Sequence, residues 1–215
     1  SYYSQNGADE ICFLDISASL EKRNTMLNIV RKTAEEVFIP LTVGGGISSI
    51  HNIRSLLKAG ADKVSINSAA IINQKIVQES SDYFGSQCIV VAVDVKKIEN
   101  DWIVFSHGGT INTNINALEW LEKVQELGAG EILLTSMDKD GTKSGFDIEL
   151  LKVATNILQI PVIASGGVGA KEHFFEGVFE GGASALLAAS VFHFNEFSIK
   201  EVKHFLSDRN IEVRL

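Results

Sequence analysis

Two stretches of this chain are near copies of each other, and the duplication restricts its fold more than any other feature. Gly7-Ala8-Asp9-Glu10-Ile11-Cys12-Phe13 returns as Gly128-Ala129-Gly130-Glu131-Ile132-Leu133-Leu134, an offset of 121 positions. At the same offset Val43-Gly44-Gly45-Gly46-Ile47 becomes Ala164-Ser165-Gly166-Gly167-Val168. With one added glycine, Gly60-Ala61-Asp62-Lys63-Val64-Ser65-Ile66-Asn67-Ser68 aligns with Gly182-Ala183-Ser184-Ala185-Leu186-Leu187-Ala188-Ala189-Ser190. Self-similarity at one long period marks a fold assembled from duplicated units. The second copy is preceded by an apolar run, Cys88–Asp94, whose mate would fall before residue 1. The chain is therefore expected to begin one strand late.

Short apolar runs alternate with amphipathic stretches. The strands expected are Glu10–Asp15, Leu41–Val43, Lys63–Ile66, Cys88–Asp94, Glu131–Thr135, Pro161–Ala164 and Ala185–Ala188. Several are continuously apolar, as parallel strands covered on both faces are. Helices are expected at Thr25–Val37, Ser49–Ala59, Gln74–Tyr83, Ala117–Leu127, Asp147–Leu158, Ala170–Glu180 and Ser198–Asp208. Ser49–Ala59 gathers Ile50, Ile53, Leu56 and Leu57 on one face, and Asp147 suits the positive end of its helix dipole. The fold class expected is α/β: a (βα)8 TIM barrel of two half-barrels, with its first β-strand and following loop absent from this chain. Residues 1–215 are read as one N-terminally incomplete barrel domain. The irregular segment Lys96–Asn114 reads as a hairpin inserted after the fifth barrel strand, beside the mouth.

The glycine clusters come first among the candidates. Gly45-Gly46 and Gly166-Gly167 each follow a strand, and the next strand of each copy ends in Asn67-Ser68 or Ala189-Ser190. Backbone N–H groups freed by glycine, with a short helix N-terminus, make an anion cup. The alternative is that the glycines only permit tight turns. Their matched occurrence favours two cups and a ligand with two phosphates. Asp94 and Asp15 end strand candidates, where a carboxylate serves either as general acid or base or as a helix cap. Met137–Gly145 suits a mobile ligand-covering loop or a solvated turn. Glu10, Lys63 and Glu131 open alternate strands. They form either a salt-bridged ring at the barrel floor or three exposed strand starts, and the second is preferred on these residues alone.

The net charge of -8 argues against nucleic acid as a ligand, which requires a basic surface. No apolar run reaches the ~18 residues of a membrane span. Cys12 and Cys88 lie in apolar runs and read as buried thiols of a reducing compartment, here the cytoplasm. His51, His173 and His204 read as surface groups on helices. No histidine pair has metal-ligand spacing, so no metal is expected.

These motifs together resemble the family of imidazole glycerol phosphate synthase cyclase subunits. The resemblance rests on Phe13–Ser19, Thr42–Ile47, Ala61–Asn67, Asp138–Gly145, Ala164–Gly167 and Ala188–Phe194. The Asp-Gly-Thr-Lys-Ser-Gly loop and the Val-Phe-His-Phe segment set it apart from the isomerase of the same pathway. It implies a barrel without cofactor that uses ammonia from a glutaminase partner docked on the N-terminal face. The small bisphosphorylated nucleotide substrate becomes imidazole glycerol phosphate and aminoimidazole carboxamide ribotide. It also implies that Asp94 is one of two catalytic aspartates, the other lying on the strand before residue 1. On that ground this chain alone is expected to be inactive. Gly46, Asn67 and Ser68 match one phosphate site. Asp140, Gly141, Gly167, Ala189 and Ser190 match the other. Thr135 and Ser165 match mouth positions. Glu10, Lys63 and Glu131 match an ammonia gate, which reverses the simpler reading of them. The alternatives weighed are an amidating paralogue in glycan synthesis and a catalytically dead partner of the glutaminase.

Overall fold

The computed structural model describes residues 2–14 and 20–215, with side chains of 20–25 outside the description. Packing gathers the chain into two compact units, Ser1–Val91 with Glu126–Gly130 and Ala92–Gln125 with Glu131–Leu215. Each alternates parallel strands with helices, the architecture of the TIM-type α/β class.

The first unit holds α1 (Tyr2–Gln5), β1 (Ile11–Leu14), α2 (Leu20–Glu36), β2 (Leu41–Gly44), α3 (Ile50–Lys58), β3 (Lys63–Ile66), α4 (Ser68–Ile72), α5 (Lys75–Phe84) and the start of β4 (Ile89–Ile98). Its strands run in the order β1-β2-β3-β4, all parallel. β2 is buried at every residue, Thr42 included, as a parallel strand covered on both faces is. The expected apolar face of α3 is the buried one, with Ile53 and Leu56 packed inside. Ser49 caps that helix by accepting from the Asn52 N–H.

The second unit continues β4 from Ala92. It adds β5 (Asp101–Ser106), β6 (Ile111–Asn116), α6 (Ala117–Glu126), β7 (Glu131–Ser136), α7 (Ile148–Ile157), β8 (Val162–Ser165), α8 (Lys171–Phe175), β9 (Ala185–Leu187), α9 (Ser190–His193) and α10 (Ile199–Ser207). β7, β8 and β9 are parallel neighbours. Asp147 caps α7 by accepting from the Leu150 N–H, as its position at the helix start suggested. Among the described residues no helix is long and apolar enough to cross a membrane.

Four expectations need correction. β4 does not close at Asp94: it runs on to Ile98, because Asp94 to Ile98 pair antiparallel with β5. The insertion holds the expected hairpin, β5 paired with β6 through a register shift between Val104 and Phe105, but β5 also pairs with the end of β4, which makes three antiparallel strands. Ala170–Glu180 is not one α-helix. α8 gives way to a π turn at Glu176–Glu180, closed by the Gly181 N–H on the Glu176 carbonyl. Cys12 and Cys88 are free but only half-buried.

Candidate functional site

In both units the candidate residues sit at the C-terminal ends of parallel strands. In the first, Gly44 ends β2 opposite Ser65 of β3. A Cβ on Gly44 would lie 2.8 Å from a Leu14 methyl and 2.9 Å from the Ser65 Cβ, so only glycine fits there. The chain then turns through Gly45 (φ 105°) and Gly46 (φ 61°), a left-handed pair. β3 ends one residue before Asn67, whose side-chain oxygen is buried, and Ser68 opens α4.

In the second unit Thr135 and Ser165 are register partners at the ends of β7 and β8. Gly166 (φ 94°) and Gly167 (φ 102°) repeat the left-handed turn. The β7–α7 loop lies against it. A Cβ on Gly166 would stand 2.9 Å from the Ser136 carbonyl oxygen and 3.4 Å from Asp140 Cα. On Gly167 it would meet the Gly145 oxygen at 2.1 Å. The Gly145 N–H donates to the Gly167 carbonyl at 2.8 Å, which fixes that approach. These glycines thus have a packing reason as well as room for donors. Around Gly141 the structure is open, since a Cβ there would meet nothing within 4 Å. Ala189, at φ -120° and ψ -68°, precedes Ser190 at the start of α9.

Asp94 stands where β4 changes partners. Val91, opposite Ile66, is the last residue of β4 paired in parallel with β3, and Asp94, opposite Phe105, is the first paired with β5. Asp94 is half-buried within the strand at that point. The antiparallel ribbon beyond it is held by the neighbouring loop. Met137 N–H donates to the Val95 carbonyl at 2.8 Å, and Lys97 N–H donates to Asp138 Oδ2 at 2.7 Å. The Lys97 ammonium bonds Glu149 at 2.7 Å, a hydrogen bond that raises its pKa, and it sits 4.8 Å from the Trp102 ring centroid. Asp15, with the Asp15–Ser19 stretch, lies outside the described residues.

At the opposite strand ends, Lys63 and Glu10 form a salt bridge. The ammonium donates to both carboxylate oxygens at 3.0 Å. Glu131 opens β7 in the second unit with one carboxylate oxygen buried. The Cys12 thiol is pushed up to about 11 by burial first and by the Glu10 carboxylate second. Among the described residues no cluster of three His, Cys, Asp or Glu side chains could hold a metal.

Sequence reasoning missed residues that hold this framework. His173 is not a surface group. It is half-buried, and its Nδ1 accepts from the Gly169 and Ala170 N–H groups at 3.1 and 3.2 Å. Its mate at the 121-residue offset is Asn52, whose Oδ1 accepts from the Ser48 N–H at 3.2 Å. The offset itself was the signal that could have found it. Lys143, in the left-handed region at φ 58°, pairs with Glu196. His193, in the Val-Phe-His-Phe segment, is exposed at the end of α9.

The comparison with known proteins follows the same lines. A family model described as "Histidine biosynthesis protein" matches residues 1–198. A curated relative, the "Imidazole glycerol phosphate synthase subunit HisF" of Hydrogenobaculum sp. (strain Y04AAS1), is 56% identical over 214 residues, covering 99% of this chain and 85% of the relative. A chain with this duplication, these glycine turns and that breadth of match belongs to the histidine biosynthesis protein family.

Proposed function

We propose that the chain is the cyclase subunit of an imidazole glycerol phosphate synthase, acting in the cytoplasm in L-histidine biosynthesis. The observation that carries this reading is the pairing of two left-handed glycine turns, Gly45-Gly46 and Gly166-Gly167, each matched by a following strand that ends at a short helix. Each set of backbone donors grips one phosphate of a bisphosphorylated substrate. Asn67 and Ser68 complete one grip. Asp140, Gly141, Ala189 and Ser190 complete the other. Thr135 and Ser165 are mouth positions near the substrate.

Ring closure needs ammonia to attack and protons to leave and arrive at defined atoms. Asp94, half-buried where β4 changes its partner strand, is the general acid or base for these transfers. Ammonia comes from a glutaminase subunit docked at the N-terminal ends of the strands, past a gate of Glu10, Lys63 and Glu131. A salt-bridged Lys63 is suited to gating, since its charge is held in one place while neutral ammonia passes. No cofactor enters the reaction.

The test is cyclisation driven by ammonium salt, with the nucleotide substrate and, in parallel, a sugar-nucleotide acceptor. Supplied with the family's first strand and its aspartate, the chain should turn over the nucleotide and leave the sugar nucleotide untouched; without them it should turn over neither. Asp94→Asn should lower kcat by about 1,000-fold with KM nearly unchanged. Asp94→Asn turnover at the parent rate would remove Asp94 from the chemistry. Reaction of the sugar nucleotide instead would move the chain to an amidating role in glycan synthesis.

A further inference from the structure

Three chain segments supply the candidate residues of the second phosphate grip: the β7–α7 loop, the turn after β8, and the start of α9. The first two are joined by backbone. Gly145 bonds Gly167, and a Cβ on Gly169 would stand 2.5 Å from both the Lys143 Cβ and the Lys143 carbonyl oxygen. The third is reached by a side chain. Lys143 extends to Glu196, and the Glu196 N–H donates to the Val191 carbonyl at 2.9 Å, inside α9. Lys143 therefore presses its backbone on one segment and its charge on another.

We infer that Lys143 and Glu196 form a positioning latch that holds the Asp140-Gly141 turn over the anion site opened by Ser190. The inference rests on the proposed cyclase reading for the identity of the anion, and on the contacts alone for the latch. Lys143 sits in the left-handed region at φ 58°, where a side chain crowds the neighbouring carbonyl. The loop's inner turn is already closed by Thr142, which donates to the Lys139 carbonyl at 2.7 Å and bonds Ser144 at 2.8 Å. The Glu196 contact instead fixes the loop as a unit against α9. Two other ion pairs among the described residues of this unit lie elsewhere: Lys97 joins Glu149, and Lys152 joins Glu180.

The pair is partly exposed, with 51% of the Lys143 side chain and 30% of the Glu196 side chain accessible. A pair of this kind is worth at most about 1 kcal/mol, so each effect should be about fivefold. Hydrogen exchange of the Met137–Gly145 amides should quicken about fivefold in Lys143→Met and in Glu196→Gln, with no substrate present. The Kd for inorganic phosphate, titrated by phosphorus NMR, should weaken by the same factor. The KM for the nucleotide should rise in step, with kcat unchanged. The charge-exchanged double variant, Lys143→Glu with Glu196→Lys, should recover most of each loss. Equal exchange and equal phosphate affinity across the set would overturn the latch, as would a double variant no better than the singles. If the chain supplied with the family's first strand failed to turn over nucleotide, the cyclase reading would fall, while exchange and phosphate affinity would still decide the latch.

Discussion

Set side by side, residues 7–73 and 128–195 show a backbone copied closely and side chains that have diverged. The Ile11 N–H donates to the Pro40 carbonyl at 2.9 Å, and at the fixed offset the Ile132 N–H donates to Pro161 at 3.0 Å. Leu14 pairs with Gly44, and their mates Thr135 and Ser165 pair likewise. Gly7 and Gly128 have φ of 92° and 93°. Yet Leu14 has become Thr135 and Gly44 has become Ser165. Gly45-Gly46 and Gly166-Gly167 are glycine in both copies, and there a left-handed turn follows a strand. Conservation of geometry without conservation of side chains is what a site built from backbone donors permits. One difference is an extra residue in the second copy. α3 closes through the Ala61 N–H on the Leu56 carbonyl, and its mate closes through Ala183 on Gly177, one residue wider. The π turn at Glu176–Glu180 absorbs the insertion, so the strands on either side keep their register.

The largest expected break in this symmetry lies at the glycine turns. Gly167→Ala places a Cβ 2.1 Å from a carbonyl oxygen at φ 102°, outside the region a side chain tolerates. It should cost about 3 kcal/mol in urea unfolding. Gly46→Ala meets φ 61°, within the ordinary left-handed region, and should cost about 1 kcal/mol. Equal losses would mean that the loop against the second turn yields freely, and the close approach of Gly145 would then hold nothing.

Next come the caps. In the first copy two side chains share the work. Ser49 accepts from Asn52, and Asn52 accepts from Ser48. In the second, Ala170 has no side-chain acceptor and His173 takes two backbone donors. His173→Ala should therefore cost about 2 kcal/mol and Asn52→Ala about 1 kcal/mol. His173→Asn should restore most of the loss, because an amide oxygen already serves at the mate position.

The fold was legible because the duplication repeats its strand and turn signals twice, and each copy checks the other. The glycine turns were legible for the same reason. What the sequence did not show has two physical sources. Partner choice is tertiary: nothing in Val90-Val91-Ala92-Val93-Asp94 says that β4 will leave β3 after Val91 and bind β5 beyond it. Side-chain roles at helix starts depend on reach rather than spacing. A histidine on a helix reads as exposed until its ring is seen to turn back on the preceding loop. The loop Met137–Gly145 was recognisable by composition. Its attachment through Lys143 to Glu196 was not, because the two residues lie 53 positions apart.

The smallest expected effect is also the most direct comparison of the copies. Ala170 has φ -142° and ψ 162°, close to the -154° and 157° of its mate Ser49. A serine there would find the extended backbone that an N-cap requires, with the N–H of His173 in the position of the one that Ser49 accepts. Ala170→Ser should add about 0.5 kcal/mol, a rise in Tm of about 1–2 °C by calorimetry. The same change in a His173→Ala background should add about 1 kcal/mol, since the helix start there has lost its other acceptor. No gain in either background would mean that the two copies do not share one capping geometry, and that the His173 ring replaced the serine cap by reshaping the turn rather than by filling its place.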